Sequence, residues 1–96
     1  MTLREILDSD KPVLIDFFSA DCPPCLVLRE TLGKVRAKIG DKCEIYTIDR
    51  EKHSGVFKAF ELKSVPHLKL FKNGKPVWES TGIIDENELI SLITQV

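Results

Sequence analysis

The feature that most constrains the fold is an apolar run, "PVLIDFFSA", at positions 12–20, which is broken once by Asp16. A strand that faces solvent on one side alternates apolar and polar residues, whereas a strand covered on both sides is apolar throughout. We therefore expect a central strand here, with other elements packed on both of its faces.

The rest of the chain shows clear signals for helices and for a hairpin. A capping box at Thr2 and Glu5 starts the first helix, and Asp85 with Glu88 forms a similar pattern before the last one. Asn73-Gly74 is the preferred dipeptide of a type I′ turn and predicts a β-hairpin. The predicted order is helix (from 2 to 8–10), strand (12–20), helix (23–38), strand (43–49), helix (53–62), hairpin (67–80) and helix (from 85).

This order of elements predicts the architecture. A strand–helix–strand connection places its two strands parallel, with a right-handed crossover, and the hairpin then adds antiparallel strands. We therefore expect an α/β protein, a three-layer α/β/α sandwich with a central mixed four-stranded sheet flanked by helices.

Length and composition narrow the class of protein. The 96 residues suit a single domain over 1–96, and 43% apolar with 30% charged residues is typical of soluble globular proteins. A net charge of -1 and the absence of any basic stripe or long apolar run predict no nucleic-acid or membrane partner. Charges occupy the N-terminal stretch where a signal peptide is apolar, so we expect a cytoplasmic protein, although removal of a leader would leave the same sequence. We also expect a monomer.

A close pair of cysteines, Cys22 and Cys25, lies in the segment "ADCPPCL". One pair and the isolated Cys43 do not form a disulfide framework, and in a reducing compartment such a pair is more often redox-active or metal-binding. Structural zinc needs four ligands, and the chain adds only two histidines. We expect neither a metal nor another bound cofactor, while a zinc ion shared between two copies stays open.

Two prolines stand between these cysteines, where the predicted helix begins. Backbone N–H groups of the first helical turn have no partner within the helix. Pro23 and Pro24, which lack this group, therefore destabilise the helix little at these positions. A helix N-terminus lowers the pKa of a Cys22 thiol, while Cys25 lies one turn inside and should be more buried. This asymmetry suits thiol–disulfide exchange, with Cys22 attacking a target and Cys25 resolving the mixed disulfide.

The prolines also limit how acidic Cys22 can be. Because neither Pro23 nor Pro24 can donate, any backbone amide that stabilises the Cys22 thiolate must come from Cys25 or beyond. The carboxylate of Asp21 opposes a thiolate as well. We therefore expect Cys22 to be less acidic than a helix N-terminus alone would suggest.

From Val13 onward the chain resembles the thioredoxin family. The resemblance lies in "VLIDFFSADCPPC", "YTID", "SVPHLKLFKNGK" and a later glycine, Gly82. It implies a thioredoxin fold and a protein-disulfide reductase whose only redox centre is a Cys22–Cys25 disulfide. Its partners would be protein disulfides and an NADPH-dependent thioredoxin reductase.

The same resemblance implies roles for individual residues. Val65–Pro66 would be a cis peptide bond facing the cysteines, with Val65 offering its backbone to an extended substrate segment. Asp16 would lie beneath the pair and accept the proton of Cys25, whereas the alternative is a structural aspartate hydrogen-bonded in the sheet. The expected substrate surface comprises Val65, Pro66, Gly82, Asp21, Pro23 and Pro24.

Four positions depart from the family pattern. Asp21 replaces a tryptophan, Pro23 replaces a glycine, and Glu30 replaces the proline that usually kinks the helix. Ile45 aligns with the lysine that accompanies the buried acid. We therefore expect Asp16 to lack a nearby cation.

The chain has one further cysteine and two histidines, and two functions other than disulfide reduction by a thioredoxin stay open. We expect Cys43 to be a buried free thiol and His53 to lie in a solvated loop, while His67 is either an ordinary strand residue or a tuning charge or ligand near the cysteines. A glutaredoxin-like, glutathione-coupled enzyme is one alternative, although "STGIIDEN" lacks that class's double-glycine motif. A non-catalytic adapter that binds a partner at the groove around Pro66 is another.

Overall fold

The computed structural model describes residues 2–96. It contains four α-helices and four strands in the predicted order, with one short 3₁₀ turn after the second helix. The helices are α1 (Leu3–Leu7), α2 (Pro23–Ile39), α3 (Ser54–Ala59) and α4 (Glu86–Thr94), and the 3₁₀ turn is Gly40–Lys42. The strands are β1 (Val13–Phe18), β2 (Glu44–Asp49), β3 (His67–Lys72) and β4 (Lys75–Thr81). No helix within this described part is long and apolar enough to cross a membrane.

The four strands form one mixed sheet in the order β2-β1-β3-β4. Strand β1 pairs parallel with β2 and antiparallel with β3, and β3 pairs antiparallel with β4. Asp16 lies opposite Thr47 on one side and Leu68 on the other. The predicted mixed four-stranded sheet is confirmed, and β1 is one of its two central strands.

Apolar clusters cover both faces of this sheet, as the composition of β1 predicts. Alternate residues of a strand point to opposite faces, so Leu14 and Ile15 belong to different clusters. The first cluster packs the sheet against α2 and α4 through Leu14, Leu28, Leu32, Val35, Ile39, Cys43, Leu68, Leu70, Leu89 and Ile93. The second packs it against α1 and α3 through Val13, Ile15, Phe17, Phe57 and Phe71. The result is the expected three-layer sandwich.

Local signals account for most element boundaries, but α3 is shorter than predicted. Thr2 and Glu5 form the predicted capping box, and the Asp85 side chain caps α4. In the hairpin turn, Asn73 and Gly74 both have positive φ angles, 54° and 79°, as a type I′ turn requires. Helix α3 ends early because Glu61 adopts a left-handed φ of 55°, which stops helical hydrogen bonding.

Candidate active site

The cysteine pair lies where the chain leaves the central strand and enters α2. Cys22 is the N-terminal capping residue of α2, and Pro23 and Pro24 occupy its first two positions. The first available backbone amide, that of Cys25, donates a hydrogen bond to the Cys22 Sγ over 3.2 Å. The prediction that the nearest donor comes from Cys25 is therefore confirmed.

Cys22 and Cys25 form a disulfide, with their Cα atoms 5.2 Å apart. Cys22 is 9% exposed and Cys25 is 2% exposed, so the second cysteine is the more buried of the two, as its place one turn inside the helix predicts. Pro23 and Pro24 are exposed beside the disulfide. Access from solvent therefore favours Cys22 as the sulfur that a target reaches first.

The loop before β3 and the end of β4 lie at the same edge of the sheet as this pair. The register places Phe17 opposite His67, and His67 opposite Thr81, so Pro66 and Gly82 come just beyond these paired residues. The Val65–Pro66 peptide bond is cis, as the family resemblance implies. The Gly82 amide donates to the Pro66 carbonyl oxygen over 2.8 Å, which joins these two predicted substrate-binding residues.

Asp16 is completely buried in the middle of β1. Neither of its carboxylate oxygens has a hydrogen-bond partner among the described residues, so the alternative of a hydrogen-bonded structural aspartate finds no support there. Burial disfavours the charged form and raises the pKa of Asp16 to about 6. A carboxyl group with this pKa can exchange a proton near neutral pH.

The expectation that Asp16 lacks a nearby cation is wrong. The positive charge of Arg29 lowers the pKa of Asp16, although the larger effect of burial prevails. Arg29 lies one helical turn after Cys25 on α2, with its guanidinium carbon 4.4 Å from the centre of the Phe18 ring. The expectation rested on position 45 of β2, where the family has a lysine and this chain has Ile45 packed against the core. Here the cation comes instead from Arg29 on α2.

Asp21, the residue before Cys22, lies within hydrogen-bond distance of a serine that the sequence patterns did not single out. The Ser19 hydroxyl oxygen lies 2.6 Å from Asp21 Oδ1 and 2.7 Å from Glu51 Oε1. The hydrogen bond from Ser19 holds the pKa of the Asp21 carboxyl below its usual range. A serine directly after a buried strand was the available signal, but Glu51 could not be linked to it without the parallel pairing of β1 and β2.

The structure also gives the surroundings of Cys43 and His67. Cys43 is a buried free thiol, as predicted, and burial raises its pKa to about 11. The His67 ring joins β3 to β4, with Nε2 2.7 Å from Glu79 Oε2 and Nδ1 3.0 Å from Thr81 Oγ1. Residues 2–96 contain no group of three or more His, Cys, Asp or Glu side chains arranged to hold a metal ion.

Comparison with known proteins identifies the family to which this geometry corresponds. The family model described as Thioredoxin matches residues 3–95. The chain belongs to the thioredoxin family. This centre is therefore a thioredoxin-type dithiol–disulfide pair, formed by Cys22 and Cys25 at the N-terminus of α2.

Individual thioredoxins are similar over most of the chain. Chloroplastic thioredoxin Y of Oryza sativa subsp. japonica is 38% identical over 90 residues, which are 93% of this chain and 54% of that protein. A thioredoxin-like protein of Synechocystis sp. is 33% identical over 85% of this chain and 78% of its own length. A solved structure of a mutant thioredoxin from Halobacterium salinarum superposes with a TM-score of 0.85 at 28% identity, over 97% of this chain and 80% of that one.

The chain spans about half the length of the plant thioredoxins that it matches, 54% of the Oryza protein and 51% of Arabidopsis thaliana thioredoxin Y1. The family and the fold are therefore shown for this thioredoxin domain.

Proposed function

We propose that this thioredoxin reduces disulfide bonds in other proteins through Cys22 and Cys25. The observation that carries the proposal is the Cys22–Cys25 disulfide at the start of α2, with the Cys25 amide donating to the Cys22 Sγ. A hydrogen bond to this sulfur favours its thiolate form when the pair is reduced.

The proposed reaction balances in two steps. The Cys22 thiolate attacks one sulfur of a target disulfide, which breaks that bond, forms a mixed disulfide and releases the other target sulfur as a thiolate. The Cys25 thiolate then attacks the Cys22 Sγ, which forms the Cys22–Cys25 disulfide and releases the second target sulfur. Two electrons pass from the domain to the target.

Asp16 is the proposed acceptor of the Cys25 proton. At pH 7 a carboxyl group with a pKa of about 6 is ionised in about ten molecules of eleven, so it is ready to accept a proton. The charge of Arg29 helps to keep it ionised. Its burial on the central strand beneath the helix that carries Cys25 suits this role.

The proposed substrate is an extended protein segment that contains a disulfide. Val65 would offer its backbone to this segment, and Pro66, Gly82, Asp21, Pro23 and Pro24 would line its path. An NADPH-dependent thioredoxin reductase is the proposed electron donor, because the chain belongs to the thioredoxin family. The monomeric state and the cytoplasmic location stay predictions from the sequence.

An insulin-reduction assay tests the proposal against both alternatives. We expect turnover with thioredoxin reductase and NADPH, little turnover with glutathione and glutathione reductase, and none after Cys22→Ser. Cys43→Ala, which removes the thiol outside the pair, should keep full activity. Preferential reduction by glutathione would support the glutaredoxin-like alternative, and partner binding without turnover would support the adapter.

A further inference from the structure

Two carboxylates converge on the single hydroxyl group of Ser19. The Ser19 Oγ lies 2.6 Å from Asp21 Oδ1 and 2.7 Å from Glu51 Oε1, both within hydrogen-bond distance. Ser19 is only 2% exposed, whereas Asp21 and Glu51 are exposed. A serine hydroxyl has one hydrogen to donate, so the two carboxylates compete for it.

The hydroxyl lies between the two loops that follow the parallel strands β1 and β2. Glu51 stands in the turn after β2, where its amide donates to Asp49 Oδ1 over 3.0 Å. The amide of Arg50 donates to the Phe18 carbonyl over 2.9 Å and holds this turn against the end of β1. Ser19 is therefore fixed beside an independently anchored turn, and the hydrogen bond that it donates attaches the Asp21 side chain to the end of β1.

This attachment matters because Asp21 is the covalent neighbour of Cys22. An ionised carboxylate close to a thiol disfavours the thiolate by like-charge repulsion. A carboxylate that accepts a short hydrogen bond at Ser19 has a fixed position and a partly satisfied charge. Among the other charged groups, Arg50 lowers the pKa of Asp21, and the guanidinium of Arg29 on α2 lies over the ring of Phe18, the residue before Ser19.

We propose that Ser19 is a positioning residue that donates its hydroxyl hydrogen to the Asp21 carboxylate, in competition with Glu51, and thereby favours the thiolate form of Cys22. Ser19 acts through Asp21 and contacts neither the substrate nor the reacting sulfurs. The inference rests on the proposed nucleophilic role of Cys22. It concerns the acidity of the thiol, which can be measured without turnover.

The test is a titration of Cys22 in the fully reduced domain, by the pH dependence of its alkylation with iodoacetamide, with the modified peptide identified by mass spectrometry. Ser19→Ala should raise the pKa of Cys22 by about 0.5 unit, which slows alkylation about threefold at pH values below that pKa. Asp21→Asn should lower the pKa, and adding Ser19→Ala to Asp21→Asn should change nothing further. An unchanged pKa in Ser19→Ala, or an equal rise in the Asp21→Asn background, would overturn the proposal.

Two further variants keep the test decisive if Ser19→Ala folds poorly. Glu51→Ala leaves the whole hydroxyl hydrogen to Asp21, so the pKa of Cys22 should stay unchanged or fall, and a rise would contradict the proposal. Ser91→Ala is the matched control. The Ser91 hydroxyl accepts a hydrogen bond from Gln95 at the C-terminal end of α4, so Cys22 should titrate in this variant as it does in the wild type. Because the titration uses no substrate, absent reductase activity cannot imitate either result.

Discussion

The guanidinium carbon of Arg29 lies 4.4 Å from the centre of the Phe18 ring, on the side of the sheet that α2 covers. Phe18 stands two residues after Asp16 on β1, so the two side chains share this face. The positive charge of Arg29 lowers the pKa of Asp16. In this domain the counter-charge of the acid therefore comes from α2, one turn after Cys25.

Removing that charge should make Asp16 harder to ionise. In Arg29→Gln the pKa of Asp16 should rise further above about 6, by roughly half a unit, because an attractive charge is lost. Carbon-13 NMR of the labelled Asp16 carboxyl measures this pKa directly. The midpoint of the pH dependence of mixed-disulfide resolution should shift to higher pH by the same amount.

Arg36→Gln is the matched control for this charge change. Arg36 lies two turns further along α2 and donates to the Ile45 carbonyl over 3.2 Å, at the edge strand of the sheet. The carboxyl titration should be unaltered in this variant. Equal shifts in both variants would mean that Arg29 acts only through the net charge of the domain.

The raised pKa of Asp16 predicts how stability depends on pH. Asp16 binds its proton more tightly in the folded state, with a pKa of about 6, than in the unfolded chain at 3.8. The folded state therefore loses stability as pH rises from about 4 to about 6, by at most about 3 kcal/mol. Asp16→Asn has no such loss. In urea unfolding, the free energy of unfolding of this variant should therefore rise relative to that of the wild type as pH rises over that range.

Asp41→Asn provides the comparison for this stability experiment, because Asp41 is exposed in the 3₁₀ turn. An equal relative gain in stability for Asp41→Asn over that range would mean that the effect does not belong to the buried Asp16.

For Asp16→Asn in the reaction itself, we expect the first attack to keep its rate while release of the mixed disulfide slows. Unchanged release in stopped-flow measurements would remove Asp16 from the proton-transfer step.

The prolines predict a positional effect on the acidity of Cys22. The side chain of an N-terminal capping residue accepts bonds from the second and third helical positions, which here are Pro24 and Cys25. Pro24→Ala restores an amide that can donate to the Cys22 Sγ. Its alkylation at pH 6 should be about threefold faster than that of the wild type, because a second hydrogen bond favours the thiolate.

Pro23→Ala is the control for the loss of a rigid ring, since the first helical position does not face the capping side chain. The alkylation rate of Cys22 should change little in this variant. A larger effect from Pro23→Ala than from Pro24→Ala would show that chain rigidity, and not the missing donor, sets the acidity.

The bond between His67 and Glu79 predicts a pH-dependent contribution to stability. His67 is the first cause that holds the pKa of Glu79 below its usual value, and Lys69 adds to the effect. A lowered folded pKa means that the contribution is present above the unfolded pKa and is lost as pH falls through the folded one. Glu79→Gln should therefore destabilise the protein by less than about 1 kcal/mol at pH 7, since the Glu79 side chain is 55% exposed, and by less still at pH 3.

Thermal unfolding at both pH values measures this loss. Glu30→Gln, an exposed change on α2, is the control for removing one carboxylate, and a matching loss in that variant would mean that the effect is not specific to Glu79. An equal cost for Glu79→Gln at pH 7 and pH 3 would contradict the assignment of the shift to the charged carboxylate.

Local patterns made much of the fold and of the cysteine centre predictable. The apolar run of β1 required cover on both faces, and Asn73-Gly74 required a tight hairpin. The missing N–H groups of Pro23 and Pro24 were enough to indicate that any amide donor to Cys22 comes from Cys25 or beyond, and the structure shows that it is Cys25. Each of these inferences depends on residues within a few positions of one another.

Contacts between distant segments could not be predicted in this way. The pairing of β1 with β2 brings Glu51 to Ser19, and the packing of α2 on β1 brings Arg29 to Phe18 and the buried Asp16. The sequence by itself determined which elements form and where the two thiols stand, because backbone preferences and apolar patterning are local. Only the tertiary structure decided which charges surround those thiols and their buried acid, because electrostatic effects depend on distances in space and not along the chain.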